Sequence, residues 1–90
     1  MSVLVHIPPS LQVLAGDLSE ISVAGDTVGA CLRQLVRLYP QLKVKIFTAR
    51  GKLLKSINIF VNGTNVSPDP LIKPVSDGDK IHIAYTVLGG

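Results

Sequence analysis

Apolar and polar side chains alternate in five short segments of the chain, a pattern typical of β-strands with one buried face. The predicted strands are residues 3–7, 20–24, 57–61, 64–66 and 80–86. Asn62-Gly63 favours a tight hairpin between the third and fourth strands, because both residues tolerate positive φ. Pro68 keeps the fourth strand short, since proline cannot donate a hydrogen bond to a sheet ladder.

Apolar residues recur at steps of three and four between residues 28 and 39, which predicts one amphipathic helix. The apolar stripe consists of Val28, Cys31, Leu32, Leu35, Val36 and Tyr39. Asp26 or Thr27 can cap the first turn. Pro40 ends the helix, because the residue before a proline disfavours helical geometry. Gly29 weakens the helix slightly.

Two segments between these elements show no clear period. Residues 11–17 form a connection of mixed polarity, and residues 41–56 are compatible with a short helical turn or an extended segment. The order of the other elements is strand, strand, helix, strand, hairpin, strand. Because one helix must cover one face of the sheet, the sequence predicts an α+β fold: a mixed sheet of four or five strands packed on one main helix.

Length and composition restrict the class of protein further. A chain of 90 residues and 9.6 kDa predicts a single domain over residues 1–90, without room for a deep enclosed pocket. This size argues against a self-sufficient enzyme, and no catalytic residue is predicted. The net charge is +3, but the nine Lys and Arg residues are dispersed along the sequence. A nucleic-acid partner is therefore not expected.

The single cysteine, Cys31, lies on the apolar stripe and is predicted to be a buried core residue rather than a nucleophile. One cysteine allows neither an internal disulfide nor a multi-cysteine metal site, so no metal is expected. The first nine residues lack the pattern of a secretory signal. No apolar run reaches the ~18 residues of a membrane span, and a cytoplasmic location is expected.

The last two residues, Gly89-Gly90, follow closely on the final predicted strand. A terminal carboxylate is a poor electrophile that must be activated, for example as an acyl-adenylate, before a nucleophile attacks it. Glycine lacks Cβ, so a Gly-Gly end can enter a narrow channel. Fully extended, residues 86–90 span about 17 Å. A frayed terminus is the alternative interpretation, and the residues alone leave both open.

Four stretches, taken in their order and spacing, resemble those of the MoaD/ThiS family of ubiquitin-like sulfur carriers. They are Gly25-Asp26-Thr27-Val28; Leu38-Tyr39-Pro40; Gly51-Lys52-Leu53 with Ile57-Asn58-Ile59-Phe60-Val61-Asn62-Gly63; and Asp77-Gly78-Asp79-Lys80-Ile81, running to Gly89-Gly90. The long segment 41–56 is similar to that of the longer, MoaD-like or CysO-like members. Many MoaD and CysO tails carry proline just after the final strand, where this chain has Ala84-Tyr85-Thr86.

The resemblance implies a β-grasp fold and a carrier that acts as a co-substrate. A ubiquitin-activating-type enzyme would adenylate Gly90, and ATP would bind that enzyme, so that this chain binds no cofactor. Sulfur would then replace one carboxylate oxygen, and the thiocarboxylate would donate it in cysteine, homocysteine or molybdopterin biosynthesis. Sulfur-donor and sulfur-acceptor enzymes are the other implied partners. The residues expected in the partner's channel are Thr86, Val87, Leu88 and Gly89.

A second expected site is the sheet face that the helix leaves uncovered. In a β-grasp sheet the first and last strands are neighbours, which places His6 and His82 near each other. Two histidines are too few ligands for a metal site. The residues predicted to share this face as a partner-docking surface are Leu4, His6, Phe60, His82 and Ala84. Scattered surface apolar residues are the alternative interpretation.

Three other functions remain open on sequence grounds. The chain could be the small subunit of molybdopterin synthase, in a stable complex with a catalytic partner. It could also be a ubiquitin-like modifier that is conjugated to lysines through Gly90. A third alternative is a β-grasp binding module for RNA with an incidental tail, for which binding would fall steeply with salt.

Overall fold

The computed structural model describes residues 2–85, in which five strands form one mixed sheet with the order β2-β1-β5-β3-β4. The elements are β1 (Val3–His6), β2 (Glu20–Val23), α1 (Val28–Leu38), α2 (Lys43–Ile46), β3 (Ile57–Val61), β4 (Thr64–Asn65) and β5 (Lys80–Tyr85). Short 3-10 helices span Pro9–Ala15, Pro40–Leu42 and Pro70–Ile72. The predicted two-layer α+β arrangement is confirmed.

The centre of the sheet is the parallel pair β1 and β5, in which Val5 lies opposite Ile81. β2 pairs with β1, and β3 with β5, both antiparallel. The β3–β4 hairpin turns at Asn62 and Gly63, with φ of 51° and 87°. The Asn62 side chain accepts a hydrogen bond from the Lys80 backbone N–H at 2.9 Å and donates one to Asp79 at 3.0 Å. The hairpin is therefore fixed to the start of β5.

The helix α1 covers one face of this sheet. Of the two predicted caps the structure uses Thr27, whose Oγ1 accepts a hydrogen bond from the Ala30 backbone N–H at 3.1 Å. The buried residues of the helix pack on odd-numbered strand residues such as Val5 and Ile81. The core residues contributed by α1 are Val28, Cys31, Leu32 and Leu35. Alternation along the strands leaves the even-numbered residues on the opposite face.

The two segments without a clear sequence period both contain short helices. The 3-10 helix Pro9–Ala15 replaces the expected connection and buries Leu11 and Ala15. Residues 41–56 begin with the end of a 3-10 helix and the four-residue α2, rather than an extended segment. Leu42 and Ile46, one turn apart, are fully buried and hold this segment on the core. Neither helix is long enough to show a clear period.

Gly29 stands in α1 because the 3-10 helix Pro70–Ile72 lies very close to it. A Cβ at position 29 would lie 2.7 Å from the backbone oxygen of Leu71. We expect Gly29→Ala to lower the free energy of unfolding by about 1 to 3 kcal/mol, despite alanine's better helix propensity, because backbone must move to admit the methyl group. Urea unfolding measures this. Arg37→Ala on the exposed side of α1 is the control, with a change within about 0.5 kcal/mol. An unchanged or more stable Gly29→Ala variant would contradict this reason for the glycine.

Candidate functional site

The five residues predicted for docking do share the sheet face opposite α1. Leu4 is 37% exposed, and the other four are partly buried. Strand pairing places His6 beside His82, His82 beside Phe60, and Ala84 beside Asn58. The row continues to Glu20, which lies opposite His6 on β2. One row of side chains therefore crosses four strands of the sheet.

His6 and His82 are in direct contact across the parallel β1–β5 pair. Their ring centroids are 5.0 Å apart, with the ring planes tilted by 40°. This proximity follows from the parallel register of the two strands. Within residues 2–85 no group of three or more His, Cys, Asp or Glu side chains is arranged to hold a metal ion. The two histidine rings pack against each other on the open sheet face.

A shallow depression of about 490 Å³ lies around this row and extends towards the end of β5. It is lined by four of the predicted residues, His6, Phe60, His82 and Ala84. The other lining residues, which sequence reasoning did not select for this face, are Pro8, Pro9, Gly63, Ile83 and Tyr85. The hydroxyl of Tyr85 donates a hydrogen bond to the backbone oxygen of Lys45 at 3.2 Å. This bond ties the last residue of β5 to α2. The depression thus reaches Tyr85, the last residue that the structure describes.

Charges on this face are largely balanced at neutral pH. The Lys80 ammonium and the Glu20 carboxylate form an ion pair at 2.8 Å, and the hydrogen bond from Lys80 lowers the pKa of Glu20. Burial lowers the pKa of His82, and the positive charges of His6 and Lys80 lower it further. His82 Nδ1 is buried and has no hydrogen-bond partner within residues 2–85. His82 is therefore neutral at pH 7.

The lowered pKa of His82 predicts a pH dependence of stability. The unfolded chain protonates His82 at about pH 6.5, whereas the folded protein resists protonation until lower pH. The contribution of neutral His82 to the free energy of unfolding is therefore fully present above about pH 6.5. It is lost as the pH falls through the pKa of His82 in the folded protein. Urea unfolding at pH 7.5 and 5.5 should show a smaller loss for His82→Gln than for the unsubstituted protein. If both proteins lose the same free energy of unfolding between the two pH values, the lowered pKa of His82 is contradicted.

The remaining predicted residues fall into two groups. Cys31 is a free thiol with no exposed surface, and burial raises its pKa, with the charge of Asp26 adding to this. A buried, protonated thiol cannot act as a nucleophile, as expected from the apolar stripe.

The five tail residues lie outside the described residues. They are Thr86, Val87, Leu88, Gly89 and Gly90. Among the described residues, the longest helix is far too short to cross a bilayer.

Comparison with known proteins places the chain among small carriers of this fold. The model of the ThiS family matches residues 5–90. The sulfur carrier protein CysO of Mycobacterium tuberculosis is 33% identical over 93 aligned positions, which cover all of both chains. A chain in the crystal structure of the Amycolatopsis orientalis BexX/CysO complex superposes with a TM-score of 0.87 at 29% identity, covering 98% of this chain and 99% of that one.

A third similar protein carries a different description. The solution structure of small archaeal modifier protein 1 from Methanosarcina acetivorans has a TM-score of 0.87 and 33% identity, covering 99% of this chain and 96% of that one. Because this chain superposes on both structures over nearly its whole length, its mixed five-stranded sheet packed on a helix is the β-grasp fold. The family match includes four of the five docking-face residues and the two final glycines. The chain belongs to the ThiS family of ubiquitin-like sulfur carrier proteins.

Proposed function

We propose that the carboxylate of Gly90 is the group that carries sulfur. A partner enzyme binds ATP and transfers AMP to the carboxylate, releasing pyrophosphate. A hydrosulfide-level nucleophile then attacks the acyl carbon and AMP leaves, so that the thiocarboxylate forms. The thiocarboxylate sulfur bonds to the acceptor and displaces a leaving group from it. Water then attacks the acyl carbon, the carbon–sulfur bond breaks, and the carrier returns to the carboxylate form. This chain supplies the reacting terminus and the docking surface, while ATP and the catalytic groups are supplied by its partners.

One observation carries the proposal: the likeness to a sulfur carrier extends through the Gly-Gly pair. The family match runs to residue 90, and the CysO relative aligns over its whole length. Glycines at this position have a clear chemical use, because a chain without Cβ atoms can enter a narrow activating site. The length of this segment suits the use, since five residues span about 17 Å when fully extended.

The open sheet face supports a role in partner docking. Leu4, Phe60 and Ala84 present apolar surface, and the neutral His82 adds a ring that is inexpensive to desolvate. The depression is lined by Phe60, His82 and Ala84, and it reaches Tyr85, the last described residue before the tail. A partner seated on this face would therefore be close to the start of the tail. The similar Amycolatopsis CysO was crystallised in complex with BexX, which shows a relative bound to a second protein.

A reconstituted reaction tests the proposal. The purified carrier is incubated with the adenylating enzyme of its own host, ATP and sulfide, and the products are followed by mass spectrometry and pyrophosphate release. Pyrophosphate release that depends on the carrier, together with a thiocarboxylate at Gly90, is the expected result. Pyrophosphate release without a sulfur-containing product would remove the sulfur step from the proposal.

The modifier function is the second candidate, favoured by the likeness to small archaeal modifier protein 1. A lysine amine would then attack the acyl carbon of the same acyl-adenylate, AMP would leave, and an isopeptide bond would form at Gly90. The two outcomes differ in their products. Isopeptide-linked Gly90 in a digest of host proteins would identify the modifier activity, whereas a thiocarboxylate alone would identify the carrier.

A further inference from the structure

A groove on the helix side of the molecule gathers four of the nine basic residues. It has a volume of about 560 Å³ and lies between α1, α2 and the turn that follows α2. Its basic residues are Arg33, Arg37, Lys43 and Arg50. They are separated by up to 17 positions in the sequence, so their clustering appears only in the fold. Among residues 2–85, no acidic side chain lines the groove.

These four cations are not neutralised by the described part of the chain. The ion pair found within residues 2–85 joins Lys80 to Glu20, outside the groove. Arg33 and Arg37 are one helical turn apart on α1, which sets their side chains side by side. Paired guanidinium groups are suited to bidentate contact with carboxylates or phosphates. The groove therefore presents uncompensated positive charge in a form that recognises anions.

The floor of the groove is apolar, which limits the kind of anion that fits. Val36 and Phe47 lie between the basic residues. Phe47 is only 6% exposed, so its ring cannot serve as a stacking platform for a nucleobase. A single phosphate would leave the apolar floor unused. An acidic peptide with an aliphatic side chain between its carboxylates would use both the floor and the charged rim.

We propose that this groove binds an acidic, leucine-containing segment of a partner protein. The carboxylates contact the arginines of α1 and Arg50, and the aliphatic side chain packs on Val36. The groove lies on the outer side of the helix layer, whereas the open sheet face lies on the other side of the sheet. A partner held at the groove could thus stay bound while another occupies the sheet face and tail. The proposal does not depend on chemistry at Gly90.

Nuclear magnetic resonance titration of the full chain tests the groove directly. The probe is a peptide of about twelve residues that repeats glutamate, glutamate and leucine. The expected result is saturable shifts of the backbone amides at Arg33, Val36, Arg37 and Arg50, with no matching change around His6 and His82. A second peptide with serine in place of leucine should bind several-fold more weakly, because it cannot use the apolar floor.

Matched charge variants separate the groove from net charge. Arg33→Gln/Arg37→Gln should weaken binding of the leucine peptide about tenfold, since two charge contacts are removed. Lys55→Gln/Lys73→Gln removes the same charge outside the groove and should leave the affinity within about twofold. Both variants should retain the dispersed spectrum of the folded protein.

Three results would overturn the proposal. Equal loss of affinity in the two double variants would show that peptide binding depends on net charge and not on the groove. Equal binding of the serine peptide would remove the role of the apolar floor. If a single-stranded RNA oligonucleotide shifts the groove amides and the leucine peptide does not, then the groove is a nucleic-acid site. None of these results bears on the reaction at Gly90, because the titration uses neither ATP nor a partner enzyme.

Discussion

Deletion of Gly90 is expected to lower the rate of adenylation by at least about a hundredfold. Removing one residue shifts the terminal carboxylate by roughly 3.5 Å along an extended chain. A displacement of even 1 Å can cost about a hundredfold when reacting groups must be aligned. The rate is measured as pyrophosphate release with the host's adenylating enzyme. Gly89→Val should also slow the reaction strongly, because its side chain widens the segment that must enter the active site.

The control for both tail variants is the stability of the domain. Neither variant changes any of the core residues described within residues 2–85, so we expect the unfolding transition and the amide spectrum of those residues to be unchanged. Any loss of activity then arises at the reacting end. Adenylation of the shortened chain at the normal rate would show that the reacting carboxylate is not that of Gly90.

Phe60→Ala is expected to raise the KM for the carrier in the adenylation reaction about thirtyfold, with little change in kcat. Phe60 lies beside His82 in the depression on the open face, where an aromatic side chain can be a principal contact for a partner. A loss of about 2 kcal/mol on truncation is typical of such a residue. An effect on KM alone would indicate docking, since the reacting terminus is untouched.

Ile72→Ala is the matched control for Phe60→Ala. Ile72 is also a large apolar residue, 72% exposed, but it belongs to the 3-10 helix packed on α1. Its truncation should leave both KM and kcat within about twofold. If Ile72→Ala raises KM as much as Phe60→Ala does, then docking does not use the open sheet face.

The strands and the main helix were predictable because their patterns are long enough to repeat. Alternation in β1, β3 and β5 separated the buried odd-numbered residues from the even-numbered residues of the open sheet face. The adjacency of His6 and His82 required one further step, the pairing of the first and last strands. That pairing came from the family resemblance, since periodicity alone does not determine which strands are neighbours.

The features that the sequence did not determine have two causes: a short element, or contacts between residues distant in sequence. The helix α2 has four residues, too few to decide between the helical turn and the extended segment left open for residues 41–56. Tyr85 shares the parity of Ile81 and Ile83, but its hydrogen bond to Lys45 depends on where α2 packs. The basic groove is a similar case, because Arg33 and Arg50 are brought together only by the turn after α2. Sequence reasoning treated the basic residues as dispersed, which is correct along the chain but not in the fold.

Intact mass spectrometry of the protein purified from its own cells tests the central claim most directly. The account predicts a species heavier by the difference between one sulfur and one oxygen atom, and fragmentation that places the change at Gly90. Treatment with a thiol-alkylating reagent should label that species at the same residue, because Cys31 is buried in the folded protein. If only the free carboxylate is found, even after incubation with ATP, sulfide and the host's adenylating enzyme, then the proposal for Gly90 is wrong.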